Sequence, residues 1–166
     1  MRNNMKILFV QTGGTIDKDY ARKAKTYDFE ISTPAVKRVL ERIRPNFEYR
    51  VISVLKKDSM DMSAQDRDAI CEAVRKVPED KIIVTHGTDT MTKTAECLSK
   101  IGGGKTIVLT GSSLPEKFYD SDASFNIGVA LGAISALKPG VYVAMNGRAW
   151  DWNKVQKRED GMFVER

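Results

Sequence analysis

Five largely apolar segments, each the length of a β-strand, constrain the fold of this chain more than any other feature. They cover residues 5–10, 49–55, 81–85, 105–110 and 141–145. Helical patterns fill the intervals between them, over residues 34–43, 63–77, 91–101 and 125–137. This alternation predicts an α/β fold, a doubly wound and mostly parallel sheet in three layers with helices on both faces. We expect one domain over residues 1–166, with an irregular polar tail from residue 146.

Composition narrows the possible partners. The 27 basic and 22 acidic residues are interleaved, so the net charge of +5 indicates a solvated surface and we expect no nucleic-acid partner. No apolar run approaches the roughly 20 residues that span a bilayer, so we expect no membrane partner. The two cysteines, Cys71 and Cys97, fall in predicted helices, which favours packing in a reducing, cytoplasmic location over a disulfide framework. With one histidine, the chain predicts no metal site and no cofactor.

The first predicted strand runs into Thr12, Gly13, Gly14 and Thr15. Glycines permit backbone conformations that other residues resist, so a sharp turn is expected here. Such a turn either presents a threonine nucleophile or is an ordinary tight turn, and a short motif of this kind does not decide between the two.

A second motif, HGTDTM, follows the strand at residues 81–85 in the same way. In a doubly wound sheet, ligands bind beyond the carboxyl ends of the strands. We therefore expect Thr15, Thr88, Asp89 and Ser59, which follows the second strand, to converge on one side of the sheet.

His86 and Lys105 fit this picture less directly. His86 stands at a strand end, where we interpret it as a structural hydrogen-bonding residue. Lys105 begins its predicted strand, so it would need an unusual path to reach the cleft.

A threonine hydroxyl needs a proton acceptor before it can attack a carbonyl carbon. The acceptor could be a lysine that burial deprotonates beside Asp89, or a tyrosine, Tyr20 or Tyr27, from the long polar segment at residues 17–32 that we interpret as a mobile lid. Backbone amides around the glycines of the two motifs, including Gly14 and Gly87, could form an oxyanion hole. These groups are typical of acyl transfer without a metal.

Together, TGGTI and HGTDTM make the chain resemble the bacterial-type asparaginase and glutaminase family of threonine amidohydrolases. The resemblance covers nearly the whole chain but only the family's amino-terminal catalytic domain, without its smaller carboxyl-terminal domain. It implies that Thr15 attacks the side-chain amide of asparagine, with glutamine as a weaker substrate, and releases ammonia through an acyl-enzyme intermediate. It also implies a second hydroxyl set of Thr88, Asp89 and Lys105.

The same resemblance implies the substrate contacts. Asp89 would bind the α-amino group and Ser59 the α-carboxylate. Tyr20 is favoured over Tyr27 as the lid tyrosine. Met60 departs from the family, many of whose members have glutamine there, which removes one group that orients the substrate. Because two-domain relatives build sites between subunits, we expect a homo-oligomer, a dimer or larger.

Two other functions stay open at this point. One is the amidase component of an assembly that performs transamidation on transfer RNA. The other is a non-catalytic module that binds asparagine or aspartate.

Overall fold

A computed structural model of the chain describes residues 5–20 and 29–166, so Tyr27 lies outside the described residues. The strands are β1 Lys6–Gly13, β2 Lys18–Tyr20, β3 Phe29–Ile31, β4 Glu48–Lys57, β5 Lys81–Thr85, β6 Thr106–Thr110, β7 Gly140–Met145, β8 Arg148–Asp151, β9 Val155–Lys157 and β10 Phe163–Glu165. A six-stranded sheet in the order β4-β1-β5-β6-β7-β8 forms the centre of the fold. Its strands are parallel except for β8, which runs antiparallel to β7.

Helices cover both faces of this sheet. They are α1 Ala35–Ile43, α2 Ala64–Lys76, α3 Met91–Ser99 and α4 Ala123–Ala136. Alternate residues of β1 point to opposite faces, as the two-residue period of a strand requires. Leu8 and Val10 pack in the core beneath α2 and α3, whereas Ile7 and Phe9 pack in the core beneath α1 and α4. The predicted three-layer α/β fold is confirmed.

Among the described residues, no helix has the length and hydropathy needed to cross a membrane.

The order of the strands creates a switch point between β1 and β5. From β1 the chain moves to β4 on one side and then returns to β5 on the other side of β1. Connections that leave in opposite directions open a crevice at the carboxyl ends of the two central strands. The TGGT and HGTDT motifs follow these two strands, so the fold brings both motifs to the edges of one crevice.

The structure corrects two predictions about irregular segments. The predicted lid is not structureless throughout, because β2 and β3 at its ends pair as antiparallel strands. The tail is not irregular either, since β8 extends the sheet and β9 pairs with β10. Trp150, Val155 and Phe163 of this tail are buried in the core beneath α2 and α3. Strands of three or four residues are too short for their period to be recognised in the sequence.

Helix starts were predicted with mixed success. Ser63 with Asp66 three positions later predicts a capping box at the start of α2. It is confirmed, because the Ser63 amide donates to Asp66 Oδ2 and the Asp66 amide donates to Ser63 Oγ. Thr33 followed by Pro34 has the sequence of a helix cap and first helical position, and this pattern predicts Thr33 as the cap of α1. That prediction is wrong. The Ala35 amide instead donates to Asp17 Oδ1, 2.7 Å away, so a residue directly after TGGTI caps this helix.

Candidate active site

Neighbouring backbone atoms lie so close to the first motif that only glycine fits at its two central positions. Gly13 and Gly14 have φ angles of 108° and 85°, in the region that favours glycine. A Cβ atom on Gly13 would lie 2.4 Å from the Lys57 carbonyl oxygen, and one on Gly14 would lie 2.3 Å from the Gly87 nitrogen. The first motif therefore packs directly on the second, and Thr15 and Thr88, the next residues of each turn, border the same crevice.

The two threonines of TGGT have different surroundings. Thr12 is fully buried, and its hydroxyl donates to the Thr85 carbonyl oxygen at 2.9 Å. Thr15 opens the short 3-10 turn Thr15–Asp17 and is half-buried. Within the part of the chain that the structure describes, its hydroxyl makes no hydrogen bond. Thr12 is thus a structural residue, and Thr15 is the threonine with a free hydroxyl.

His86 is held inside the second motif. Nδ1 lies 2.7 Å from the Gly87 carbonyl oxygen, so Nδ1 carries the proton, and Nε2 accepts from the Thr94 hydroxyl at 2.8 Å. Complete burial disfavours the imidazolium and lowers the pKa of His86 to about 4, with Arg67 acting in the same direction. The geometry agrees with the predicted structural role of this histidine.

A lysine that sequence reasoning missed serves Thr88 and Asp89. Lys157, at the end of β9, places its Nζ atom 2.8 Å from Thr88 Oγ1 and 2.6 Å from Asp89 Oδ1. The hydroxyl, ammonium and carboxylate set that was predicted is therefore present, but with a different lysine.

The structure corrects the prediction of Lys105. Its Nζ atom donates to the carbonyl oxygens of Val77 and Glu79, at 2.8 Å and 2.7 Å. Lys105 immediately precedes β6 and these carbonyls precede β5, so all three lie at the amino ends of parallel strands, opposite the crevice. Lys105 fastens the end of α2 to the sheet and has no contact with the site.

Ser59 offers a second free hydroxyl beside the crevice. It begins the 3-10 turn Ser59–Asp61, is fully buried, and its Oγ has no hydrogen-bond partner in the described structure. A Cβ atom on Gly87 would lie 2.6 Å from this Oγ, so the hydroxyl stands against the second motif. The Ser59 carbonyl oxygen accepts from the Thr90 hydroxyl at 2.7 Å, which fixes the turn.

Asp58 holds the turn from its other side. Its carboxylate accepts from the Met60 amide at 3.2 Å and pairs with Lys18 Nζ at 2.7 Å. The hydrogen bond from Lys18 is the main reason that the pKa of Asp58 lies below its ordinary value. Because Lys18 belongs to β2, this ion pair links the base of the predicted lid to the turn that carries Ser59.

An open cleft of about 880 Å³ lies beside these groups. It is lined by Lys18, Phe29, Ile31, Lys56, Lys57, Asp58, Met60, Asp61 and Asp89. Met60 is 69% exposed, and its apolar side chain forms part of the wall. The cleft therefore combines charged groups of both signs with an apolar wall, as a zwitterionic ligand would require.

Tyr20 does not line the cleft. It is 56% exposed and stacks on Phe29, which does line the cleft, with ring centroids 4.9 Å apart. Its role on the substrate stays a prediction, as does that of Tyr27.

Two further groups bear on the chemistry of the site. The Gly14 amide donates to the Lys57 carbonyl oxygen at 2.9 Å, so it is not available to an oxyanion, contrary to the prediction. The amides of Gly87 and Thr88 donate to no described residue.

Asp17, buried beneath the first motif, has its pKa raised to about 6, chiefly because burial disfavours the carboxylate.

Within residues 5–20 and 29–166, no three histidine, cysteine or acidic side chains are grouped so that they could hold a metal ion.

Comparison with known proteins agrees with this architecture. A family model described as "Asparaginase, N-terminal" matches residues 6–163. The chain is 32% identical over 158 residues to an L-asparaginase from Thermococcus kodakarensis, covering 92% of this chain and 48% of that protein. It is 36% identical over 154 residues to one of the subunits of glutamyl-tRNA(Gln) amidotransferase from Methanosarcina barkeri, covering 88% of this chain and 35% of that protein. The solved structure of the thermostable L-asparaginase from Thermococcus kodakarensis superposes with a TM-score of 0.85 at 29% identity, over 97% of this chain and 51% of that one.

The chain belongs to the asparaginase family and corresponds to its amino-terminal domain. It spans about half the length of the Thermococcus relative and a smaller part of the amidotransferase protein.

Proposed function

We propose that the protein hydrolyses the side-chain amide of L-asparagine to L-aspartate and ammonia, with L-glutamine as a weaker substrate. One observation carries the proposal: the Thr15 hydroxyl, which has no partner among the described residues, shares a crevice with the hydrogen-bonded set of Thr88, Asp89 and Lys157. Membership of the asparaginase family and the likeness to an L-asparaginase support it.

The polar groups of the crevice match the charges of an amino acid. The buried, unpaired hydroxyl of Ser59 can donate to the α-carboxylate, which repays the cost of leaving a polar atom without a partner. Asp89 uses Oδ1 to accept from Lys157, and its other oxygen is open to the α-ammonium group. Met60, in the cleft wall, contributes apolar contact where a glutamine would have added a hydrogen bond.

The reaction has two steps. In the first, Thr15 Oγ forms a bond to the amide carbon, the bond from carbon to nitrogen breaks, and the hydroxyl proton leaves with ammonia. In the second, water attacks the resulting ester, aspartate departs and Thr15 regains its proton. The amides of Gly87 and Thr88, which donate to no described residue, would stabilise the oxyanion that forms in each step.

Lys157, as a neutral amine, is the proposed proton acceptor, acting on Thr15 or on water through the Thr88 hydroxyl to which it is hydrogen-bonded. Once protonated, it is the ammonium group that pairs with Asp89. A lid tyrosine stays the alternative acceptor. Since several groups act as a unit, removal of one is expected to abolish most of the activity.

A second candidate function is supported by the likeness to a glutamyl-tRNA(Gln) amidotransferase. In that case the same crevice would release ammonia for a partner that acts on transfer RNA. The amide chemistry would be shared, but free asparagine would not be the preferred donor.

A homo-oligomer and a cytoplasmic location belong to the same proposal. Both cysteines are free thiols, which is compatible with a reducing compartment. Light scattering of the purified protein measures the oligomeric state. Localisation of a tagged chain in its own cells measures the cellular location.

The direct experiment is ammonia release from L-asparagine and from L-glutamine by the purified protein and by its Thr15→Ala and Thr88→Val variants. We expect turnover of asparagine by the parent and losses of several orders of magnitude in both folded variants. Unchanged rates in the variants would overturn the catalytic assignment.

Calorimetry on the same proteins separates the alternatives. Binding of asparagine that Ser59→Ala weakens, without any turnover by the parent, would favour a binding module. Turnover only in the presence of a transfer RNA partner would favour the amidotransferase role.

A further inference from the structure

Two cysteines lie near each other where α2 packs on α3, on one face of the sheet. Cys71 lies in the middle of α2 and is buried, whereas Cys97 lies near the end of α3 and is half-buried. Both are free in the structure. Neither belongs to the proposed reaction.

Helix geometry places the two side chains against the same turn of α2. Cys97 Sγ lies 3.8 Å from the carbonyl oxygen of Arg67. In an α-helix this carbonyl is the acceptor for the amide four residues later, which is that of Cys71. Helical side chains tilt toward the amino terminus, so the Cys71 side chain covers the same turn of α2. Cys97 therefore packs against the turn of α2 that the Cys71 side chain covers, and both residues belong to the same apolar cluster.

We propose that Cys71 and Cys97 form an intramolecular disulfide when the protein meets a disulfide oxidant such as oxidised glutathione, and that this bond ties α2 to α3. A disulfide needs β-carbons about 3.5–4.5 Å apart. Because the Cys97 thiol already lies against the turn of α2 that precedes Cys71, a small approach of the two helices would bring the β-carbons into this range.

Exposure decides which cysteine reacts first. The thiolate of Cys97, the more accessible residue, attacks the oxidant, forms a mixed disulfide and releases one glutathione. Burial raises the pKa of Cys71 to about 12. This residue therefore stays protonated as a thiol and is the slower nucleophile. Cys71 sulfur then attacks Cys97 sulfur, and the second glutathione leaves with the Cys71 proton. Two protein thiols are oxidised and one glutathione disulfide is reduced to two thiols.

The disulfide would add to hydrogen bonds that already link the two helices next to the crevice. Arg67, one turn before Cys71 in α2, donates from Nη1 to the Met62 carbonyl oxygen at 2.8 Å and from Nη2 to the Thr90 hydroxyl at 2.9 Å. The disulfide closes a loop of about 25 residues, for which chain-entropy arguments predict stabilisation. We expect the thermal midpoint to rise by about 10 °C.

The experiment exposes the purified protein to oxidised glutathione, quenches with acid, alkylates under denaturing conditions and measures the intact mass. The expected product takes up no alkylating agent, carries no glutathione and is lighter by two hydrogens. Reduction with dithiothreitol should restore both thiols and the original thermal midpoint.

Matched variants identify the order of events. Cys71→Ala should stop at a stable mixed disulfide on Cys97, and Cys97→Ala should stay unmodified because the remaining thiol is buried. If the parent itself accumulates a stable mixed disulfide, forms disulfide-linked dimers, or keeps both thiols, the proposal is overturned. These outcomes are read from the parent alone, so the inference stays testable even if a variant does not fold.

Discussion

The turns that follow β1 and β5 occupy equivalent positions at the switch point, yet their polar groups are paired to different extents. In the turn after β5, His86, Thr88, Asp89 and Thr90 all take part in hydrogen bonds within the described structure. In the turn after β1, the Thr15 hydroxyl has no partner within the described residues, and one oxygen of the buried Asp17 has none there either.

This difference indicates that the two turns have different roles. Groups that must orient a proton acceptor benefit from a network that fixes them before substrate binds. A nucleophile must instead keep its hydroxyl available to the substrate. In the proposed reaction, the turn after β5 is therefore the preorganised half of the site, and the turn after β1 is the reacting half.

The largest expected effect comes from comparing Thr15→Val with Thr12→Val. Valine keeps the shape of threonine and removes the hydroxyl. Thr15→Val should lose at least about 10³-fold in ammonia release with little change in stability. Thr12→Val leaves the Thr85 carbonyl without its donor and should cost about 1–3 kcal/mol of unfolding free energy while it retains activity. Steady-state rates and urea unfolding measure the two effects, and a reversed pattern would exchange the roles of the two threonines.

The next effect separates the two lysines. Lys157→Met removes the partner of Thr88 and Asp89 and should lower turnover by about 10²–10⁴-fold. Lys105→Met, the matched control, breaks hydrogen bonds at the opposite edge of the sheet and should lower the unfolding midpoint without a comparable loss of turnover. A greater activity loss in the Lys105 variant would restore the assignment that the sequence suggested.

The third prediction concerns pH. The buried ionisable residues of the two turns, Asp17 and His86, change the free energy of unfolding in opposite directions as the pH rises. The pKa of Asp17 is raised from 3.8 to about 6, so its stabilising contribution is present below pH 3.8 and is lost as the pH rises through 6. The pKa of His86 is lowered from 6.5 to about 4, so its contribution is present above pH 6.5 and is lost as the pH falls toward 4. Each shift corresponds to roughly 3 kcal/mol, and between pH 4 and 6 the two largely offset each other.

Asp17→Asn removes the carboxyl group whose titration offsets that of His86. The variant should lose stability more steeply than the parent as the pH falls from 6.5 to 4, since the titration of His86 is then unopposed. Asp120→Asn, at an exposed carboxylate, is the control and should follow the parent. Urea unfolding at several pH values measures the slopes, and parallel curves for all three proteins would count against the buried state of Asp17.

The smallest effect is expected at the ion pair between Lys18 and Asp58. Both side chains are partly exposed, so the pair contributes at most about 1 kcal/mol. Lys18→Met should raise the KM for asparagine by about two- to fivefold with little change in kcat, because the turn that carries Ser59 is less firmly held. Lys37→Met, at an exposed position of α1, is the control. A change confined to kcat would indicate that Lys18 acts on the chemistry instead.

The fold and half of the site were predictable because they depend on local patterns. Continuous apolar runs marked the five main strands, and the glycines marked the turns that carry Thr15 and Thr88. Lys157 was not predictable, because it stands in a strand of three residues, and its contact with Thr88 joins positions 69 residues apart. Nothing in the local sequence distinguishes this lysine from its neighbours.

Asp17 illustrates the same limit on a smaller scale. As a polar residue at the start of a polar segment, it reads as part of a loop. The structure buries it fully, and it caps α1 in place of Thr33. Tertiary packing, which local preferences do not describe, decided both outcomes.

The position of the covalent intermediate distinguishes Thr15 from Thr88 as the nucleophile. The protein is mixed with L-asparagine, quenched in acid during turnover, digested and mapped by mass spectrometry. We predict an aspartyl ester on the peptide that contains Thr15, absent from Thr15→Val. An ester on Thr88 instead, or turnover with no ester on Thr15 at any quench time, would contradict the assignment of the turn after β1 as the reacting half of the site.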